Sequence, residues 1–361
     1  MFVKELRIRN FRNIQNTSIN FRHGINVLYG DNGQGKTNIL EAVHLALTGR
    51  SHRESSLKNF LGPDSDAAVI ELTLSGGSSS EYELSLTISQ NKKIYTLDGE
   101  KIKRRSEFTH LFPAVLFNPE DLKLVKSSPK ERRDYIDDAV SMISGNYTST
   151  LSDYRQILMQ KALVLKSYSR SAEMMLDIYD EQLAEKGTIL LKFRIKFLRE
   201  LQQAASQLYA FMSGGSEQLT INYAGKIFAD SDISDLQQAY RRMLAESRPG
   251  DIRLQSCTAG IHRDDVRIML NGRSAQTFAS QGQQRSIALC LRLALINVFE
   301  EILKEKPVVL LDDVMSELDE DRREKVLLSA AGSQTVITCT EKSFFRSSDI
   351  NFLQVRNGAI I

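Results

Sequence analysis

The chain has 361 residues, 42% of them hydrophobic and 25% charged, and a net charge of +2. That length supports two lobes with real cores, and the near-neutral balance excludes a chain-wide polyanion binder, so any basic surface has to come from local clustering. Cys257, Cys290 and Cys339 lack C-x-x-C spacing, which argues against a disulfide framework or a zinc site and fits a reducing, cytoplasmic setting. No apolar leader is expected, and no apolar run reaches the roughly 18 residues of a membrane span.

In chain order, residues 3–8 alternate apolar and charged and predict a strand; Phe11, Arg12 and Asn13 open a turn. The apolar run 25–29 predicts a buried strand, and residues 38–47 carry helical spacing. Between them lies Gly30-Asp31-Asn32-Gly33-Gln34-Gly35-Lys36-Thr37, which fits G-x-x-x-x-G-K-[ST] at every fixed position. Strand, glycine loop and helix start make a phosphate cradle. Bare backbone N–H groups curl around the phosphates, and the helix dipole favours negative charge. Lys36 is placed to reach the β- and γ-phosphates of ATP, and Thr37 to offer its hydroxyl to Mg²⁺. Polar residues 48–60 read as a loop over the nucleotide. Segments 69–74 and 82–88, of period two around a Ser/Gly-rich turn at 75–80, predict a hairpin. Residues 94–97 add a strand that Asp98 and Gly99 turn back.

Basic residues cluster in the first 60 positions and again at Lys101, Lys103, Arg104 and Arg105, and at Lys130, Arg132 and Arg133. Pro119 and Pro129 suit first turns of helices. Residues 147–168 and 172–211 predict an αα-hairpin joined near 167–171, which Gly214 and Gly215 close. A short strand at 219–223 precedes a helix at 234–247, ended by Pro249 and Gly250. After 254 the α/β character returns, with a strand at 266–270 turning at Asn271-Gly272 and a long helix at 281–303. A fully apolar strand at 307–311 and strands at 335–338, 352–355 and 359–361 follow. The phosphate loop and strand 307–311 have to share one sheet. The helical middle is therefore an insertion: residues 1–115 and 255–361 form one lobe, and residues 116–254 the other.

Strand 307–311 runs into Asp312 and Asp313. Acids at the carboxyl end of a buried parallel strand stand where ligands bind in open α/β sheets. Asp312 is expected to hold Mg²⁺ and Asp313 to orient or deprotonate a water. Ser280-Gln281-Gly282-Gln283 opens the long helix with capping-box spacing. The same helix start is an anion site, free to close on the γ-phosphate held by a second subunit.

Phosphate loop, serine-glycine-glutamine segment, acid-ended strand and Ser316-x-Leu318-Asp319 resemble the ABC-type ATPase head, in which two heads sandwich two nucleotides. Asn10-Phe11-Arg12-Asn13 resembles the N-terminal segment of SMC and RecF heads. Residues 119–137 and Gly260-Ile261-His262-Arg263-Asp264-Asp265 resemble two RecF signatures, with Ser127 where glycine and Ile261 where proline are usual. On these residues the chain is identified as a member of the RecF family. The resemblance implies an α/β fold: an ABC-type P-loop head, with a mixed parallel core sheet and an antiparallel β subdomain, plus an inserted helical lobe. It also implies an ATP-dependent homodimer on double-stranded gapped or junction DNA, and RecO, RecR and RecA as partners in repair, fork recovery and the SOS response. It points to Arg12 on the phosphates and Asn118 beside the metal. No histidine follows strand 335–338, so the switch-histidine role falls to a hydroxyl, that of Thr338 or Thr340, or is lost. Arg132 and Arg133 are expected at the lobe interface, and the residues yield no chemical role for His262, Asp264 or Asp265. Many ABC heads carry glutamate where Asp313 stands, one methylene shorter, so hydrolysis is expected to be slow and DNA-stimulated. Two other readings share the phosphate loop: the ATPase subunit of a membrane transporter, and an ATP-switched protein scaffold without direct DNA contact.

Overall fold

Alternation of buried and exposed residues makes β1 (Phe2–Phe11) a half-covered strand, and β2 (Ile14–Asn20) turns back beside it with Leu6 opposite Ile19. The computed structural model describes residues 1–51, 53, 54, 56–76, 81–167, 172–227, 233–345 and 349–361. The apolar strand β3 (Ile25–Tyr29) feeds the glycine loop and α1 (Lys36–Thr48). Next come β4 (Ala67–Ser75), β5 (Glu81–Ser89), β6 (Lys93–Leu97) and β7 (Glu100–Ile102), which complete an antiparallel sheet ordered β2-β1-β4-β5-β6-β7. The expected hairpin is the β4–β5 pair; its turn residues 77–80 lie outside the described residues. The short strand β8 (Ala114–Phe117) closes this part of the chain.

The inserted stretch holds α2 (Lys123–Lys126), α3 (Pro129–Ser141), α4 (Gly145–Lys166), α5 (Glu173–Ser213), β9 (Leu219–Ala224) and α6 (Ile233–Leu254). It continues with β10 (Asp265–Leu270), β11 (Arg273–Ser274) and α7 (Ala275–Phe278). The remaining elements are α8 (Gln281–Leu303), β12 (Val308–Asp312), α9 (Glu320–Ser329), β13 (Thr335–Cys339), β14 (Ile350–Arg356) and β15 (Ala359–Ile360).

In the second sheet, β14, β3, β13, β12 and β8 run parallel in that order, with β15 antiparallel at the edge. Strand order reverses around β3, so its carboxyl end opens at a topological switch point. Helix α1 is apolar around most of its girth because it packs on strands of both sheets. Leu40, Val43 and Leu47 share one core with Leu6, Ile8, Ile70, Leu72, Leu28, Leu310 and Val336. Each such buried side chain contributes roughly 1.5–3 kcal/mol, so this core fixes the loop's support.

By contacts the chain forms two compact units, Met1–Leu122 with Ala288–Ile361, and Lys123–Ile287. The return expected at residue 255 comes later, because β10 pairs antiparallel with β9 and keeps residues 255–287 in the inserted unit. A second difference concerns α6, which runs through Pro249 instead of ending there. Tertiary contact outweighs the lost backbone bond. Fully buried Asp251, one turn before the end of α6, accepts from fully buried Lys161 at 2.9 Å and from the Thr258 amide and hydroxyl at 2.8 and 2.6 Å. Lys161 also meets Asp180 at 2.7 Å, and Ile252 packs against Leu165, Leu176 and Cys257. Gly187 sits where a Cβ would come 2.4 Å from the Tyr240 ring, so its lack of a side chain lets α5 and α6 close together.

Candidate functional site

The loop between β3 and α1 takes its shape from glycine. Gly30, Gly33 and Gly35 have φ of 148°, 80° and 102°, and a Cβ on Gly30 would meet the Val355 carbonyl at 2.5 Å. No side chain caps α1 at Gly35, so its first amides keep their capacity to bind an anion. The β14–β15 turn braces the loop from behind: the Gly358 amide donates to the Gln34 carbonyl and the Asn357 amide to Gln34 Oε1, both at 2.8 Å. Lys36 Nζ folds onto the Gly30 and Asp31 carbonyls at 2.6 and 2.7 Å. Burial lowers the Lys36 pKa, and the carboxylates of Asp313, Asp31 and Asp312 oppose that shift. Asp31, Asn32 and Gly33 are exposed at the tip.

Thr37 and Asp312 come together although 275 positions separate them: Thr37 Oγ1 donates to Asp312 Oδ1 at 2.8 Å. Buried Thr338, on the neighbouring strand β13, donates to the same oxygen at 2.7 Å and accepts from the Asp313 amide at 2.9 Å. Asp313 sits at φ 51°, a sparsely populated conformation for a residue with a Cβ. Ser316 Oγ donates to its carbonyl at 2.9 Å and its Oδ1 at 3.1 Å. The Thr338 hydroxyl thus bonds the Asp312 carboxylate and the Asp313 backbone, while Ser316 holds the Asp313 carboxylate.

Arg12, at φ 52°, is held by Glu41, a fully buried carboxylate on α1. Arg12 Nη2 donates to Oε1 at 2.9 Å, and Nε stands 2.7 Å from Oε2 at an angle too bent for a hydrogen bond. Ser51 Oγ donates to Oε1 at 2.5 Å, and Arg53 lies 3.8 Å from Oε2. Asn118 follows Phe117, the register partner of Leu311, and so stands level with Asp312. Its Oδ1 accepts from the Glu120 amide at 2.8 Å, which closes a local turn. Ser280, Gln281, Gly282 and Gln283 belong to the inserted unit. The capping box is formed: the Gln283 amide donates to Ser280 Oγ at 3.2 Å and the Ser280 amide to Gln283 Oε1 at 2.7 Å. Ser280 and Gly282 face solvent.

The two signature segments meet inside the inserted unit. Arg132 forks onto Asp265 at 2.8 and 3.0 Å, and Arg133 donates to the Asp264 carbonyl at 2.7 Å, so both arginines bond within this unit and not at the expected lobe interface. His262 closes a directed chain of hydrogen bonds. The Cys257 carbonyl 3.2 Å from Nε2 only accepts, so Nε2 carries the proton, and Nδ1 accepts from the Tyr154 hydroxyl at 3.0 Å. Tyr154 in turn accepts from Tyr240 at 3.0 Å, and Tyr240 from the Ile261 amide at 3.0 Å. Burial pushes the His262 pKa down to about 4, so the ring is neutral and structural. A Cβ on Gly260 would lie 2.6 Å from the Tyr154 hydroxyl, which explains the glycine. Glu41 was visible in sequence only as a lone acid in an apolar helix; nothing in the sequence marks Tyr154 or Tyr240.

A parallel sheet, a glycine loop on a buried helix and an acid-ended strand two places along from the loop's own strand define an ABC-type P-loop ATPase head. A family profile described as the RecF/RecN/SMC N terminal domain matches residues 2–359. The chain belongs to the RecF family. It is 37% identical over 363 residues to the DNA replication and repair protein RecF of Clostridium acetobutylicum, covering 100% of this chain and 99% of that one. A solved structure of the recombination mediator protein RecF-ATP in the RecFOR pathway superposes with a TM-score of 0.93 at 33% identity, over 100% of this chain and 97% of that one. An SMC head bound to the C-winged helix domain of ScpA shares the fold, with a TM-score of 0.58 at 16% identity, over 100% and 98%. Among the described residues no helix is long and apolar enough to cross a membrane.

Proposed function

We propose that this chain is an ATP-gated DNA clamp of recombinational repair. Its loop Gly30–Thr37 binds ATP, and a second copy closes on the γ-phosphate with Ser280, Gly282 and Gln283. The resulting dimer holds double-stranded DNA at gaps or junctions through its backbone. The observation that carries this reading is the Thr37–Asp312 contact of 2.8 Å beside an uncapped helix start. Those two oxygens are hard donors and fit Mg²⁺, a cation that takes one or two protein ligands and completes its shell with phosphates and water. The metal supplies charge neutralisation at the phosphates.

The chain's own residues do the rest. Lys36 exchanges its two loop carbonyls for phosphate oxygens, and the amides that open α1 cradle them. Thr338 keeps Asp312 aimed, and Asp313 orients the attacking water. Arg12, braced by Glu41, faces the phosphates from the N-terminal side. Slow hydrolysis, quickened by DNA, opens the dimer. Membership in the RecF family supports a role with RecO, RecR and RecA in replication-fork recovery and the SOS response, in the cytoplasm.

The test is mass in solution and DNA affinity of the purified chain with ATP, ADP or no nucleotide. An ATP-specific dimer with ATP-specific DNA affinity is expected, and neither property in Lys36→Ala. A chain that stays monomeric with ATP and DNA present refutes the clamp.

A further inference from the structure

The inserted unit carries a charged concavity that the nucleotide site does not use. Strands β9 and β10 pair with Ile221 opposite Ile268 and Asn222 opposite Arg267. Leu219, Ile221, Val266 and Ile268 are buried, whereas Asn222 and Arg267 are exposed, so this small sheet has one covered face and one open face. A cavity of about 600 Å³ reaches that open face, lined by Lys226, Arg263 and Arg267. A second, of about 700 Å³, shares Lys226 and adds Arg242 on α6. All four cations are exposed. Two bonds to the Cys257 carbonyl, at 3.1 and 2.9 Å, fix the plane of Arg263. The carboxylates that line the cavities do not match this charge. Asp264 is buried and accepts the Tyr223 hydroxyl, which leaves Glu246 as the exposed acid.

We propose that the adjoining cavities along Arg242, Lys226, Arg263 and Arg267 seat the phosphodiester backbone of DNA. The inference rests on the DNA-binding reading above and adds the residues that make the contact. Two concavities that share a cation present a run of positive charge, which matches a chain of phosphates better than a single anion. Tyr223, the aromatic residue of the lining, has its hydroxyl bound to Asp264, so the contact is to the backbone and blind to base sequence.

The test is anisotropy of a labelled double-stranded oligonucleotide with ATP across a salt series. Each of Lys226→Gln and Arg267→Gln should lower the slope of log affinity against log salt by about 0.9, and the pair by about 1.8, because each removes one phosphate contact. Arg267→Lys should keep the wild-type slope, and ATP-dependent mass should stay unchanged in every variant. If the wild-type chain binds DNA and the double variant keeps its slope and affinity, this site is wrong and the clamp survives. Inorganic phosphate that competes at low millimolar concentration would mark a small-anion site and overturn the proposal. Failure of the wild-type chain to bind DNA in any nucleotide state removes the clamp as well.

Discussion

Replacing Thr338 with valine removes one hydroxyl and almost no volume. In the wild-type chain that hydroxyl gives 2.7 Å to Asp312 Oδ1 and takes 2.9 Å from the Asp313 amide. The first bond involves a carboxylate, worth roughly 1.5–3 kcal/mol, and the second loss strands an amide donor at a further cost of about 1–3 kcal/mol. Thr37 still donates to that same Asp312 oxygen at 2.8 Å. Relaxation takes up part of the sum, so a net loss of about 2–4 kcal/mol is expected in the parent lobe, with ATPase turnover down roughly 10- to 100-fold. Thr338→Ser keeps the hydroxyl and should recover most of the turnover, though it loses a buried methyl. Steady-state ATPase assays with kcat and KM resolved, beside thermal melts without nucleotide, make the measurement. Wild-type turnover and melting in the valine variant, or a serine variant as damaged as the valine one, would refute the argument that the Thr338 hydroxyl holds the Asp312 carboxylate and the Asp313 backbone in place.

The other expectations can be checked with the same preparations. Asp313→Asn should accumulate an ATP-bound dimer on DNA; size exclusion with ATP that shows monomer alone would contradict this. Ser280→Ala should leave ATP affinity unchanged and abolish ATP-dependent dimerisation, while the lost cap on α8 costs about 1 kcal/mol in a melt. His262 has a folded pKa near 4, below its ordinary 6.5. It therefore binds its proton on unfolding: its stabilisation is complete above about pH 6.5 and falls by up to about 3 kcal/mol as pH drops towards 4. Denaturation of wild type and His262→Gln at pH 7.5 and 5 should show that slope in the wild type and a flatter one in the variant. Gly260→Ala, which brings a Cβ to 2.6 Å from the Tyr154 hydroxyl at φ 129°, should cost at least about 2 kcal/mol, read as a lowered melting temperature.

Long elements with a clear period were legible from sequence. Helix α8 spans the expected residues 281–303, and β3 the expected 25–29. Two strands without a clear period were not: β8, Ala114–Phe117, is four apolar residues long, and β2, Ile14–Asn20, is polar apart from Ile14 and Ile19. Pro249 misled because local backbone rules cannot register the Lys161–Asp251 pair that holds the helix beyond it. The phosphate loop and Asp312 were readable because their chemistry is written in consecutive residues. The orientation of Asp312 and Asp313 by Thr338, and of Arg12 by Glu41, depends on side chains distant in the chain, and sequence alone could suggest only that these residues were unusual for their places.

The placement of β3 has a consequence for how the molecule is made. Its neighbours in the parallel sheet, β13 and β14, both come more than 300 positions later in the chain. During synthesis the inserted unit, continuous from Lys123 to Ile287, emerges whole before either partner exists. Pairing over such separations raises contact order and slows folding. The nascent phosphate loop therefore waits, its apolar strand unpaired, until the second half of its own lobe leaves the ribosome, and that interval is when the chain most needs protection from aggregation.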